Sequence, residues 1–383
     1  MYGDREVFLF SVPGRTELSG NHTDHNGGKV LAAAVDLDLI AVAAKAEGHE
    51  IRIKSEGYRE DVVDLRALAP EKIKPGSSHA LIAGVCAALR ASQHSCGGFV
   101  ACTTSDVLSG SGLSSSAAFE VMCGRILSAF YNADRIPPMT LAQAGKFAEN
   151  DYFGKPCGLM DQAACAHGGM LYIDFASAEE PVTEKLSFSP EQAGWALCIV
   201  NTGGNHADLT EDYASVPHEM KSCAALLGKK QLRECDEAEF MERVPYLRKL
   251  VGDRAVLRAL HFFAENRRVE AQREAIRNGD VHAFLAGVTD SGNSSFKYLQ
   301  NVYTVKNTAE QGLSLALALS EQAGAVCRVH GGGFAGTVQA YVPSDRTELY
   351  RRTLEHVFGP GACMFLQVRP YGAARITESG ILE

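Results

Sequence analysis

Four short stretches of this 383-residue chain concentrate side chains that could do chemistry. The first, Pro13-Gly14-Arg15-Thr16-Glu17-Leu18-Ser19-Gly20-Asn21-His22-Thr23-Asp24-His25-Asn26-Gly27-Gly28, follows an apolar run directly. Arg15, Asn21, His22 and Asp24 can each hydrogen-bond vicinal hydroxyls, and a sugar site needs both a donor and an acceptor at each hydroxyl. Alone, the stretch also fits a solvated turn. His22, Asp24 and His25 would fit a metal only if a distant ligand joined them. The second stretch, Ser109-Gly110-Ser111-Gly112-Leu113-Ser114-Ser115-Ser116-Ala117-Ala118, puts glycines and serines before a periodic apolar segment. Glycine lets a backbone approach an anion, and successive N–H groups at a helix start attract phosphate. It is not a Walker loop, because no Gly-Lys-Ser/Thr follows, and a serine there is also an ordinary helix cap. The third, His330-Gly331-Gly332-Gly333-Phe334-Ala335-Gly336, fits a close ligand approach or simply a glycine-rich hairpin. In the fourth, Glu149 to Gln162, Asp161 stands among apolar and small residues and must find a partner or shift its pKa.

The string His-Gly-Gly-Gly also occurs in the oxyanion loop of lipases and esterases. No Gly-x-Ser-x-Gly elbow is present, and in those hydrolases the glycine loop precedes the nucleophile, whereas here it lies near the C-terminus.

The elements that would position these stretches alternate in type. Val7–Val12 reads as a strand ending at Pro13; Val30–Ala44, Ile51–Lys54 and Gly98–Thr104 read as further strands. Ala80–Ser92 and Thr140–Asn150 read as helices. Ala118, Val121, Met122, Ile126, Ala129 and Phe130 recur at helical spacing, so a buried helix follows the serines. Leu171–Asp174 and Leu197–Asn201 look like strands, residues 215–277 are helical and charged, and Gly312–Gln322 is another helix. Val326–Val329 and Val338–Val342 flank the glycine cluster, and Met364–Pro370 supplies a late strand. The expectation is an α+β protein of two intimately joined domains, 1–195 and 196–383, with mixed sheets covered by helices and the site in the cleft between them.

Composition narrows the function classes. The 37 Lys plus Arg against 46 Asp plus Glu give a formal charge of −9, which disfavours sequence-independent nucleic-acid binding. The longest apolar stretch is cut by Asp36 and Asp38, so no membrane span is expected. The N-terminus lacks a secretory signal. Eleven scattered cysteines without a Cys-x-x-Cys pair read as reduced thiols in a cytoplasmic protein.

Taken together and in order, the four stretches resemble the GHMP small-molecule kinases and, within them, the galactokinase family. The first is similar to the signature Gly-Arg-x-Asn-x-Ile-Gly-Glu-His-Thr-Asp-Tyr-Asn, and the second to Gly-x-Gly-Leu-Ser-Ser-Ser-Ala. The third resembles Gly-Gly-Gly-Phe-Gly-Gly, and Pro156–Gln162 resembles Pro-Cys-Gly-Ile-Met-Asp-Gln. The resemblance implies transfer of phosphate from ATP, with Mg²⁺, to the anomeric C1 hydroxyl of a galactose-like sugar; the chain itself is expected to be a monomer. It makes Asp161 the base or orienter and Arg15 its cationic partner. It implies Asn21, His22, Asp24, Gly158 and Tyr213 for the sugar, and Gly110, Ser111, Gly112, Leu113, Ser114, Ser115, Ser116, Gly332 and Gly333 for ATP. Ser115 or Ser116, with Glu149, would hold the metal. The departures are Asn21 for the usual Glu, Glu17 for Asn, Ser19 for Ile, His25 for Tyr, Val107 for a proline and Ala335 for a glycine. An amide at position 21 neither accepts a hydroxyl as strongly as a carboxylate nor repels an acidic sugar, which would admit galacturonate or arabinose. A sensor that binds sugar and ATP without turnover is the rival class.

Overall fold

The structure is a computed structural model and describes residues 5–107, 112–177, 179–204 and 209–383. Its strands, in chain order, are β1 (Phe8–Ser19), β2 (Lys29–Lys45), β3 (Glu50–Ser55), β4 (Asp61–Asp64), β5 (Phe99–Ser105), β6 (Met170–Asp174), β7 (Val182–Leu186), β8 (Trp195–Asn201), β9 (Val326–Val329), β10 (Thr337–Pro343), β11 (Cys363–Leu366), β12 (Ala374–Thr377) and β13 (Gly380–Leu382). The helices are α1 (Ser78–Ala91), α2 (Ser115–Tyr131), α3 (Pro138–Phe147), α4 (Met160–His167), α5 (Thr210–Leu226), α6 (Glu237–Arg277), α7 (Val281–Ser294), α8 (Gly312–Gln322) and α9 (Thr347–Phe358).

Nine strands form one sheet in the order β13-β12-β1-β2-β5-β3-β4, with β6 and β7 continuing from β2; four form a second, β11-β8-β10-β9. On one face of the large sheet, Phe10, Val12, Val30, Ala32 and Ala41 pack with Ile82, Val121, Met122, Leu141 and Ala163 of α1–α4. Alternating with Val30 and Ala32 on β2, Leu31, Ala33 and Val35 face Leu197 and Ile199 of the second sheet and Val269, Phe284 and Val288 of α6 and α7. A period-2 apolar run such as β2 becomes continuous, as it does here, when both its faces are covered. Helices α8 and α9 cover the far side of the second sheet, and α5 and α6 form their own apolar bundle. Helix α6 is broken at Gly252, whose φ is 85°.

Three expectations from sequence are corrected. The first strand does not stop at Pro13. It runs on to Ser19, because the register against β2 shifts between Pro13 and Arg15, and proline is tolerated at such a bulge. The helix read as Thr140–Asn150 is α-helical over Pro138–Phe147 and continues as a wider π turn over Ala148–Phe153. The late strand ends at Leu366, leaving only a bridge from Val368 to Val35. The chain's last strands return to the first sheet, where β12 pairs with β1 and β13 with β12.

Candidate active site

The register shift after Pro13 places Arg15 opposite Ala34 on a fully covered strand, with its side chain almost wholly buried. A buried guanidinium needs a partner, and Arg15 has one in Asp161, at the start of α4. Its Nε donates to Oδ1 at 2.7 Å and its Nη2 to Oδ2 at 2.6 Å, a two-pronged pair. Ser114 Oγ donates to the same Oδ2 at 2.6 Å. Burial pushes the Asp161 carboxyl up, but the charge and hydrogen bonds of Arg15 and the Ser114 hydroxyl outweigh it and hold the group below the usual carboxylate range. Asp161 keeps 29 % of its side chain exposed, so the charged acid still reaches solvent.

Arg15 also fixes the glycine–serine loop. Its backbone N–H donates to the Leu113 carbonyl at 3.1 Å and its Nη1 to the Gly112 carbonyl. Gly112 has a φ of 73°, and a Cβ there would lie 2.7 Å from Thr337 Oγ1, so this position needs glycine. Ser114, left-handed at φ 63°, precedes α2, and Ser115 and Ser116 open it. The expected contacts Gly110 and Ser111 lie outside the described residues.

Ser116 Oγ donates to Glu149 Oε1 at 3.1 Å, and Lys155 Nζ reaches the same oxygen at 3.2 Å. Glu149 stands on the π turn that sequence read as α-helix. A hydroxyl and a carboxylate side by side at a helix start are the oxygen donors that magnesium takes, so these residues fit that ion. Among the described residues no group of three or more His, Cys, Asp or Glu side chains could hold a metal alone. An ion here would therefore take its remaining ligands from phosphate and water.

Asp24, from the first stretch, meets Gly158 from the fourth. A Cβ on Gly158 would fall 1.6 Å from Asp24 Oδ2, so only glycine leaves that carboxylate its place. His22 Nε2 lies 3.0 Å from the Gly332 carbonyl, and its buried Nδ1 has no partner. A carbonyl only accepts, so Nε2 carries the proton and Nδ1 is a free acceptor. Burial, chiefly, lowers the His22 pKa to about 3, so the ring is neutral. Tyr213 Oη donates to the Gly333 carbonyl at 2.8 Å, and its ring stands edge-on to Phe334.

Asn21 is placed differently from the sequence reading. It is fully buried, and its amide is saturated. Nδ2 donates to Glu17 Oε1 (3.0 Å) and the Gly331 carbonyl (2.7 Å), while Oδ1 accepts from Asn301 (2.8 Å) and Ser295 (3.2 Å). Instead of facing a ligand, it holds the third glycine loop from beneath. Glu17, in turn, is paired with buried Arg328. The two departures from the signature are thus one exchange: the amide and the carboxylate of positions 17 and 21 have changed places and touch each other.

Several contributors were not singled out from sequence. Glu265 on α6 accepts from the Gly20 N–H at 3.0 Å and from Ser291 Oγ at 2.5 Å. His261, one turn earlier, holds the Asn21 carbonyl at 2.9 Å. Both lie in a charged helix whose pattern gives no sign of them. His330 bridges Thr16 (3.0 Å) and Thr337 (2.9 Å) and so locks the third loop to the first; a histidine beside a glycine run was the available signal.

Comparison with known proteins identifies the family of the chain. Residues 1–45 match the galactokinase galactose-binding signature, and residues 76–169 match the GHMP kinases N terminal domain. The chain is 30% identical to a galactokinase of Streptomyces coelicolor over 388 residues, covering 98% of this chain and 96% of that protein. It is also 30% identical to one of Glaesserella parasuis over 358 residues, covering 90% and 87%. Among solved structures, Lactococcus lactis galactokinase complexed with galactose superposes with a TM-score of 0.82 at 24% identity, covering 97% and 96%. Methanococcus jannaschii mevalonate kinase superposes at 0.65 and 15% identity, covering 96% and 99%. With its fold shared by GHMP kinases and its sequence aligned to galactokinases over nearly its whole length, the chain is a sugar kinase of the galactokinase family.

Proposed function

We propose that this enzyme phosphorylates the anomeric C1 hydroxyl of D-galactose with ATP, giving α-D-galactose 1-phosphate and ADP. The observation that carries the reading is the Arg15–Asp161 pair beside the Gly112–Ser116 loop. Phosphoryl transfer depends mostly on positioning and on neutralising charge. Asp161, kept ionised by Arg15, accepts the C1 hydroxyl proton and aims the oxygen at the γ-phosphate. Arg15 remains charged throughout and holds the carboxylate in one orientation. The start of α2 presents its backbone N–H groups and the Ser115 and Ser116 hydroxyls to the nucleotide phosphates. Ser116 and Glu149 would hold Mg²⁺, which supplies charge neutralisation on the phosphate oxygens. Asp24 and the Nδ1 of His22 accept hydrogen bonds from sugar hydroxyls. Gly158 keeps the space that Asp24 needs, and Tyr213 and His22 fix the Gly332–Gly333 carbonyls.

The galactokinase names of the relatives support galactose as substrate, and the hydrogen bonds that occupy the buried Asn21 amide weaken the sequence argument for an acidic sugar. The test is ADP release across galactose, galacturonate, arabinose and N-acetylgalactosamine. Galactose is expected to give the highest kcat/KM. A preference for galacturonate would overturn the substrate, and binding of sugar and ATP without any ADP release would make the chain a sensor.

A further inference from the structure

Helix α4 carries two adjacent polar residues, Asp161 and Gln162, and the mechanism above uses only the first. Gln162 is fully buried. Its single side-chain nitrogen donates to two carboxyl groups at once, Glu149 Oε2 at 3.0 Å and Glu120 Oε2 at 3.0 Å. An amide nitrogen has two hydrogens, so this use is complete. Glu149 therefore has one oxygen turned to Ser116 and Lys155 and the other tied back to Gln162. Glu120, on α2, touches no surface and has Gln162 as its hydrogen-bond partner. Helix α3 closes the arrangement: a Cβ on Gly145 would come within 2.9 Å of Glu120 Oε2 and 3.0 Å of Gln162 Cγ. Burying a carboxyl this way is costly. Its evident use is to anchor the amide that orients Glu149.

We propose that Gln162, anchored by Glu120, is the positioning residue that presents the Glu149 carboxylate to the nucleotide-bound divalent cation. It thereby ties the metal side of the site to the helix bearing Asp161. The inference rests on the proposed function, in which Ser116 and Glu149 hold that cation. A carboxylate left to rotate would lose the fixed geometry that magnesium demands, and the partners of metal ligands are commonly worth on the order of 10–100-fold in metal affinity.

The test uses the full chain carrying Gln162→Met, which keeps length and removes both hydrogen bonds. Binding of Mn²⁺ is read from the free-ion electron paramagnetic resonance signal in the presence of a non-hydrolysable ATP analogue. The expected result is weakening by roughly 10–100-fold. The Mg²⁺ concentration giving half-maximal ADP release should rise by a similar factor, with a much smaller change in sugar KM. Glu120→Leu is expected to reproduce this, and the double variant to be no worse than either single one. Glu120→Gln, which still offers an acceptor, restores most of the binding lost in Glu120→Leu. Gln162→Asn, with the amide drawn back by one methylene, replaces the methionine variant if that does not fold. Unchanged Mn²⁺ binding in a folded variant, or sugar KM, kcat and metal binding falling together with thermal stability, would overturn the inference. Asp161→Asn separates the two readings. A collapse of kcat in that variant with normal Mn²⁺ dependence in Gln162→Met would leave the proposed function standing and this inference refuted. Undiminished kcat in Asp161→Asn would refute the function itself.

Discussion

Replacing Gly158 by alanine tests the sugar side of the site with a single methyl group. The new Cβ would lie 1.6 Å from Asp24 Oδ2, 2.4 Å from its Cγ and 3.1 Å from Oδ1. An ordinary carbon–oxygen contact of about 3.4 Å requires Oδ2 to withdraw by about 1.8 Å. The obstructing atoms are the end of a side chain, so the carboxylate swings away and the backbone need not move; the expected stability cost stays near the low end of about 1–3 kcal/mol. The ligand feels the change more strongly. A hydrogen bond from a sugar hydroxyl to a carboxylate is worth about 1.5–3 kcal/mol, equivalent to roughly 10–150-fold. Steady-state kinetics should therefore show sugar kcat/KM falling by about 10–100-fold, mostly in KM, with the KM for ATP nearly unchanged. A melting curve on the same sample guards against global damage. A sugar KM within twofold of the parent, in a folded variant, would refute the placement of Asp24 at the sugar.

Other expectations follow from the same geometry. Asp161→Asn should lower kcat by about 10²–10⁴-fold, the usual worth of a positioned base, while the folded chain still binds sugar and nucleotide by calorimetry. Arg15→Met should be less stable than Asp161→Asn by denaturant titration. It leaves the part-buried Asp161 carboxylate without its cation, at up to about 3–5 kcal/mol, whereas the amide oxygen introduced by Asp161→Asn would still accept from Arg15. The buried Glu265 is pushed up by burial but held at about 2 by His261, Arg268 and other neighbours. A depressed carboxylate pKa contributes stability that is complete above the unfolded value of about 4.3 and lost as pH falls toward 2. Thermal midpoints measured from pH 5 down to 2 should therefore fall less steeply in Glu265→Gln. Asn21→Glu places a second carboxylate against buried Glu17 and should destabilise by several kcal/mol, with Glu17→Asn recovering part of the loss. Equal melting temperatures for the single and double variants would contradict that pairing.

The site was legible wherever a residue type could serve only a few ends. Arg15 and Asp161 are 146 positions apart, yet a cation in an apolar strand and an acid among small residues each demand a partner, and they found each other. The Gly112–Ser116 loop and the helix behind it followed from glycine's freedom and apolar spacing. Other features depended on tertiary context. Pro13 read as a strand end, because only the pairing with β2 shows that a bulge lies there. Asn21 read as a ligand contact, because its four hydrogen-bond partners come from residues 17, 295, 301 and 331. His261 and Glu265 lie in a helix so charged that two buried members leave no mark on its pattern. The return of β12 to β1 joins the two ends of the chain, which no local rule foresees.

The central claim is that Asp161 directs one particular hydroxyl of galactose toward ATP. Incubating the enzyme with ATP, Mg²⁺ and galactose labelled with carbon-13 at C1, and following phosphorus–carbon coupling by nuclear magnetic resonance, tests this most directly. The account predicts one product, phosphorylated at C1 in the α configuration, formed about 10²–10⁴-fold more slowly when Asp161 is replaced by asparagine. Phosphate on any other hydroxyl, or the same product from the asparagine variant at an undiminished rate, would contradict it.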